Sequence, residues 1–147
     1  MLRHFLKGLR PFYRSVPEMA KEPSEFARSA LANREMSFLE LLDGAVFGHF
    51  ESPYRRLLDW AGISRADLAD SVHRQGLEKT LTQLLEAGVY ISLEEFKGRR
   101  PIRRSGLEIP VDFRSFDNPL VKGHLLASTG GSTSRPVRLV VDLDLVA

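Results

Sequence analysis

The residues best suited to meet a ligand lie in one stretch, Ser128 to Arg138, which reads S-T-G-G-S-T-S-R-P-V-R. It combines hydroxyls at Ser128, Thr129, Ser132, Thr133 and Ser134 with the adjacent glycines Gly130 and Gly131 and with Arg135 and Arg138. Apolar runs flank it, Leu125 to Ala127 before and Leu139 to Val141 after, so the pattern predicts a glycine-rich turn between two short strands. Such a turn suits an anion. Gly130 and Gly131 tolerate φ > 0, which lets successive N–H groups converge on one point, and the hydroxyls of Thr129, Ser132, Thr133 and Ser134 add donors. Arg138 or Arg135 can then neutralise charge through two parallel N–H bonds. The competing reading is a hairpin loop that is rich in Gly and Ser and binds nothing. It is not a nucleotide loop of the Gly-Lys-Ser/Thr kind, for that ending is absent and no helical pattern follows.

Other constellations are less specific. Lys97, Arg99, Arg100, Arg103 and Arg104 place five cations in eight residues, a density that can mark nucleic-acid contact. No zinc motif, recognition helix or aromatic platform in the sequence accompanies them, so a solvated basic loop is expected and nucleic acid is not. His4, His49, His73 and His124 have no metal-ligand spacing. No serine lies in a Gly-x-Ser-x-Gly elbow, so no catalytic triad is argued, and His124 is expected to be structural. With no cysteine in the chain, disulfides and thiolate metal sites are excluded.

The Ser128 to Arg138 stretch resembles the phosphate-binding loop of adenylate-forming enzymes, with Thr129, Gly131, Ser132, Thr133 and Pro136 on matching positions. Gly130 stands where serine is usual, Ser134 where a second glycine is usual, and Val137 where lysine is common, with Arg138 one residue on. Upstream, Ser52-Pro53-Tyr54-Arg55-Arg56 with Ala61-Gly62-Ile63, then Glu95-Phe96-Lys97-Gly98-Arg99, then Phe116-Asp117-Asn118-Pro119, are similar to segments of phenylacetate-CoA ligase-like proteins and acyl-protein synthetases. The resemblance covers roughly 52–141. It implies an enzyme that uses ATP and Mg2+ to turn a carboxylic acid into an acyl-adenylate and then passes the acyl group to a thiol such as coenzyme A (CoA). Thr129, Gly130, Gly131, Ser132, Thr133 and Ser134 would hold the phosphates, with Arg138 as an electrostatic partner. The adenine, ribose and acceptor contacts of that class lie further along than residue 147. The expectation is therefore an N-terminal part of a ligase, truncated after the phosphate loop and inactive alone, with the missing C-terminal part as its partner. A small non-enzymatic protein-interaction module with an inert loop is the alternative.

The elements that must position these residues read as follows. Ser24 is placed to cap a short helix through Leu31, and Ser37 with Glu40 suggests a capping box opening a helix to about Phe47. Ser52 with Pro53 starts a helix that Gly62 ends, with Tyr54, Leu57, Leu58 and Ala61 facing inward. Ser64 with Asp67 caps a helix carrying Leu68 and Val72. Leu77, Leu81, Leu84 and Leu85 form the stripe of another, closed by Gly88. Together Leu57, Leu58, Leu81, Leu84 and Leu85 are expected to build one helical core. Val89 to Ile91 is the first strand candidate, and Ser92 with Glu95 caps a single turn. Prolines at 101, 110, 119 and 136 exclude long helices beyond Lys97, and short strands are expected at Leu107 to Ile109, Leu125 to Ala127 and Val137 to Val141. The fold class is α+β, helical to about residue 96.

The 147 residues, 43% hydrophobic and 27% charged, suit one soluble domain with a real core. A net charge of +2 is too small to argue for nucleic acid. No apolar run reaches the length of a membrane span, and a cytoplasmic protein is expected. Residues 1–23 are set apart as a basic amphipathic helix and linker, with Leu2, Phe5, Leu6, Leu9 and Tyr13 on one face and Arg3, Lys7, Arg10 and Arg14 among them. Such a segment suits docking more than membrane attachment or targeting. Residues 24–147 form the partial adenylation subdomain.

Overall fold

The computed structural model describes residues 23–121, 125–128 and 138–141. The chain divides into two units, Leu31–Pro119 and a second made of Met1–Ala30 with Leu120–Ala147. Helices occupy the chain to Phe96 and short antiparallel strands follow, so the α+β expectation holds. No helix among the described residues is long and apolar enough to cross a membrane.

Helix α1 (Pro23–Ala32) starts one residue before the expected cap. Proline at the first helical position loses nothing, because that N–H has no helical partner anyway, and Ser24 sits inside the first turn. The strands β3 (Leu125–Ser128) and β4 (Arg138–Val141) pair antiparallel, with Leu125 opposite Val141 and Ser128 opposite Arg138.

The larger unit is built around two apolar clusters. Helix α2 (Arg34–Leu41) runs directly into a π-helical segment, Leu42–Phe47. Ser37 and Glu40 lie inside α2 and form no capping box, since Asn33 already holds the N-cap position and its carbonyl accepts from Ser37 N–H. The wide π turn closes with Gly48 N–H on Asp43 O at 2.8 Å. A Cβ on Gly48 would stand 2.8 Å from the carbonyl oxygens of Asp43 and Gly44, which explains the glycine. Two arginines hold this turn. Arg65 grips Asp43 with two bonds of 2.8 Å, and Arg55 Nη1 donates to Phe47 O at 2.6 Å.

Helix α3 (Pro53–Trp60) begins with proline after Ser52 and ends before Gly62, whose φ is 69°. Its neighbours Leu57 and Leu58 are both buried but belong to different clusters. Leu58 joins Leu42, Val46 and Leu68, with Phe38, Leu39, Ile63 and Leu84 packed against them. Leu57 joins Ile102 and Ile109, with Ile91, Val111 and Phe116 around them, and Val89 packs against both clusters. Tyr54, expected inside, lies 40% exposed.

Helix α4 (Arg65–Gln75) has the expected box, with Asp67 Oδ2 accepting from Ser64 N–H at 2.9 Å and Asp67 N–H donating to Ser64 Oγ at 3.2 Å. Helix α5 (Leu77–Glu86) contradicts its expected stripe. Leu81 and Leu85 point to solvent, and the buried position is Thr80, 1% exposed. The reason is polar: Thr80 Oγ1 bonds Gly76 O and Ser71 Oγ, both at 2.9 Å. Gln75 donates to Gln83 at 2.6 Å beside them. This hydroxyl and amide ladder joins α4 to α5 and turns the leucines outward, leaving Leu84 alone to reach the core.

Val89 to Ile91, the first strand candidate, forms no strand among the described residues. The carbonyls of Gly88 and Tyr90 accept from the Arg104 guanidinium instead. The single turn α6 (Leu93–Phe96) carries the expected Ser92/Glu95 capping box. After it, β1 (Ile102–Arg104) and β2 (Leu107–Ile109) pair as a tight hairpin with Arg104 opposite Leu107. Gly106 supplies the positive φ of its turn, 73°. Gly98, between α6 and β1, has φ 63° and backs onto residue 112: an added Cβ would lie 2.5 Å from the Asp112 carbonyl carbon. Because that neighbour is backbone, Gly98→Ala should destabilise the fold by at least about 1–3 kcal/mol, read as a lowered urea midpoint.

Candidate functional site

The glycine-rich stretch lies in sequence between β3 and β4, whose ladder pairs Ser128 with Arg138. Thr129, Gly130, Gly131, Ser132, Thr133, Ser134 and Arg135 lie outside the described residues, as does His124. Of the expected contact residues the structure places the backbone of Arg138, on the first rung beside the loop.

In the basic stretch Lys97 to Arg104, which leads into β1, Arg99, Arg100 and Arg103 are solvent-exposed as expected, yet four of the five cations have partners. Arg99 meets Glu94 at 2.9 Å, Arg103 meets Glu108 across the hairpin at 2.9 Å, and Arg100 donates to Ser92 Oγ at 3.0 Å. Arg104 is the buried member. Its guanidinium bonds Glu95 Oε1 at 3.0 Å and Gly88 O at 2.9 Å, and stands 4.1 Å from the centre of the Tyr90 ring. Burial pushes the Glu95 carboxyl up, but the bonds from Arg104 and from Ser92 N–H outweigh it and hold the pKa at about 2.

This clasp is what sequence reasoning missed. The Ser92/Glu95 spacing was legible as a cap, and a cap accounts for one carboxylate oxygen. The other oxygen serves Arg104, nine residues away, and no periodicity links the two.

Three of the segments that carry the family resemblance do meet. Tyr54, from the Ser52 to Arg56 segment, packs edge-on against Phe116, from the Phe116 to Pro119 segment, with ring centres 6.0 Å apart. Phe96, from the Glu95 to Arg99 segment, lies 5.3 Å from the same Phe116 ring. Partial burial there pushes the Tyr54 phenol above its ordinary value. An open groove in the same unit is lined by His49, Phe50, Glu51, Arg56, Asp112, Arg114 and Ser115. The Asp112 carboxylate is held low by the N–H of Arg114 and by the Ser115 hydroxyl and N–H, which it accepts within its own turn.

Among the described residues no group of His, Asp and Glu is arranged to hold a metal ion. No protein-family model, no curated protein and no solved structure matches the chain.

Proposed function

We propose that this chain is the N-terminal part of an ATP-dependent carboxylate-activating ligase of the adenylate-forming class, with the loop at Thr129 to Ser134 as its polyphosphate cradle. The contact of Tyr54, Phe96 and Phe116 carries this reading. Three stretches far apart in sequence, each resembling a landmark of that class, supply the three rings of one cluster. The β3/β4 ladder adds support, since a phosphate cradle needs a short loop whose ends are pinned.

In such an enzyme ATP with Mg2+ supplies the anhydride whose cleavage activates a carboxylic acid, and the acyl group then goes to a thiol such as CoA. This chain's share is binding and orientation. Gly130 and Gly131 let backbone N–H groups approach the phosphate oxygens, Ser132, Thr133 and Ser134 donate from their hydroxyls, and Arg138 offsets negative charge. The loop contains no carboxylate, so Mg2+ would enter with the nucleotide rather than be held by the loop. Adenylate formation requires a further part of the enzyme, and the chain alone should release no pyrophosphate from ATP with any carboxylic acid.

The cradle can be tested without turnover. In a backbone NMR titration with magnesium pyrophosphate, the amides of 129–134 should shift, with an affinity on the order of millimolar. Chloride at matched ionic strength should leave them in place, and added salt should weaken the response. Gly131→Val should remove it by blocking backbone approach, while Ser134→Gly should preserve or strengthen it. Shifts confined to Lys97 to Arg104 would defeat the reading and leave only charge attraction.

A further inference from the structure

The polar ladder between α4 and α5 does not use up its own hydrogen-bonding groups. Gln75 Nε2 commits both of its N–H bonds, to Ser71 Oγ and to Gln83 Oε1, each at 2.6 Å. Gln83 Nε2 returns one bond to Gln75 Oε1 at 3.3 Å, so the two side-chain amides bond reciprocally. A primary amide carries two N–H donors and an oxygen with two lone pairs. Among the described residues, the second N–H of Gln83 and the second lone pair of Gln75 Oε1 have no partner. Both amides line a groove of about 620 Å³, which lies in the size range of small-molecule sites. Its apolar lining is Ile63, Leu68, Leu84 and Ala87. The charged side chains along it, Asp67 and Arg74, are opposite in sign, and each is engaged locally, Asp67 by Ser64 N–H and Arg74 by Asp70 O.

From this pairing we infer that the α4/α5 groove binds a small, uncharged, planar ligand that carries an N–H beside a C=O, as on the lactam edge of a nucleobase or in a primary carboxamide. The ligand N–H donates to Gln75 Oε1 and the ligand carbonyl accepts from Gln83 Nε2, which closes one ring of hydrogen bonds with the amide pair. A peptide backbone unit does not suit this edge, because its N–H and C=O point to opposite sides of a trans bond. An ion does not suit it either, because the opposite charges of Asp67 and Arg74 leave no net attraction. The flat body of the ligand covers the apolar lining, and the loss of water there favours binding. The inference does not depend on the ligase reading, whose test addresses a different loop.

Titration of the whole chain with uracil and with nicotinamide, followed by NMR of the side-chain amides, tests it. Each compound should shift the amide signals of Gln75 and Gln83, with a dissociation constant on the order of millimolar. Dimethyluracil, whose ring nitrogens carry no hydrogen, should bind at least about fivefold more weakly than uracil, since it cannot donate to Gln75. Gln83→Met removes the free donor and should weaken uracil and nicotinamide by a similar factor. Gln83 is exposed, so this variant should keep the circular dichroism of the wild type. If it does not fold, the comparison of uracil with dimethyluracil on the wild type decides alone. Binding of one compound and not the other supports the inference and names the source, a nucleobase or a free carboxamide. No shift at Gln75 and Gln83 with either compound overturns it. So does dimethyluracil binding as tightly as uracil, or a folded Gln83→Met variant that binds both compounds as the wild type does.

Discussion

Arg104→Ala should lower the unfolding free energy by about 3–5 kcal/mol, measured as a drop in the urea midpoint with an unchanged slope. The loss is large because the substitution leaves Glu95, 4% exposed, as an uncompensated buried carboxylate. It also strips the carbonyls of Gly88 and Tyr90 of their donor. Replacing both partners, as in Glu95→Leu with Arg104→Met, should cost much less than either single change, since two apolar side chains leave no unpaired charge. A double variant as unstable as the single ones would show that the clasp stabilises through backbone bonds rather than through the ion pair.

The same clasp fixes a pH dependence and its sign. Glu95 has a folded pKa of about 2 against an ordinary 4.5, so the native state favours the ionised form. Its contribution is fully present above the unfolded value and is lost as pH falls from about 4.5 through about 2. Stability measured by urea unfolding should decline over that window in the wild type. In Glu95→Leu this part of the decline should disappear.

Leu57→Ala carries the second large effect, about 2–5 kcal/mol. Leu57 is 0% exposed and packs with Ile102 and Ile109, so truncation leaves a hole beneath the β1/β2 hairpin. Leu81→Ala and Leu85→Ala should each change stability by no more than about 0.5 kcal/mol, since both side chains lie at the surface, 43% and 57% exposed. Comparable losses at Leu81 and Leu57, by thermal or urea unfolding, would contradict the outward orientation of the α5 leucines.

Much of the local structure was written in short-range chemistry. Ser64 with Asp67, Ser92 with Glu95, Pro53 after Ser52, and the glycines at 62 and 88 each set a helix end through groups within a few residues, so spacing alone placed them. The pairing of β3 with β4 was legible for the same reason, because two apolar runs flank one turn-forming stretch.

What the sequence left open depends on partners distant along the chain. Leu81 and Leu85 have helical periodicity, yet Thr80 takes the inward position because Ser71 and Gly76 O satisfy its hydroxyl there. Val89 to Ile91 has strand-like residues, yet its neighbouring carbonyls go to Arg104, so no ladder forms. Ser37 and Glu40 have a capping box's spacing, but the helix had already begun at Arg34 and their backbone was not free to cap. The basic run is largely a charged surface, as its composition suggests, but only folding brings Glu94, Glu95 and Glu108 against its arginines. Resemblance marked Tyr54, Phe96 and Phe116 in three separate stretches, and only tertiary structure placed their rings in contact. By itself, the sequence determined where most helices start and stop. The tertiary structure decided which faces are buried and which charges are spent, because burial and pairing depend on side chains that meet only after the chain has folded.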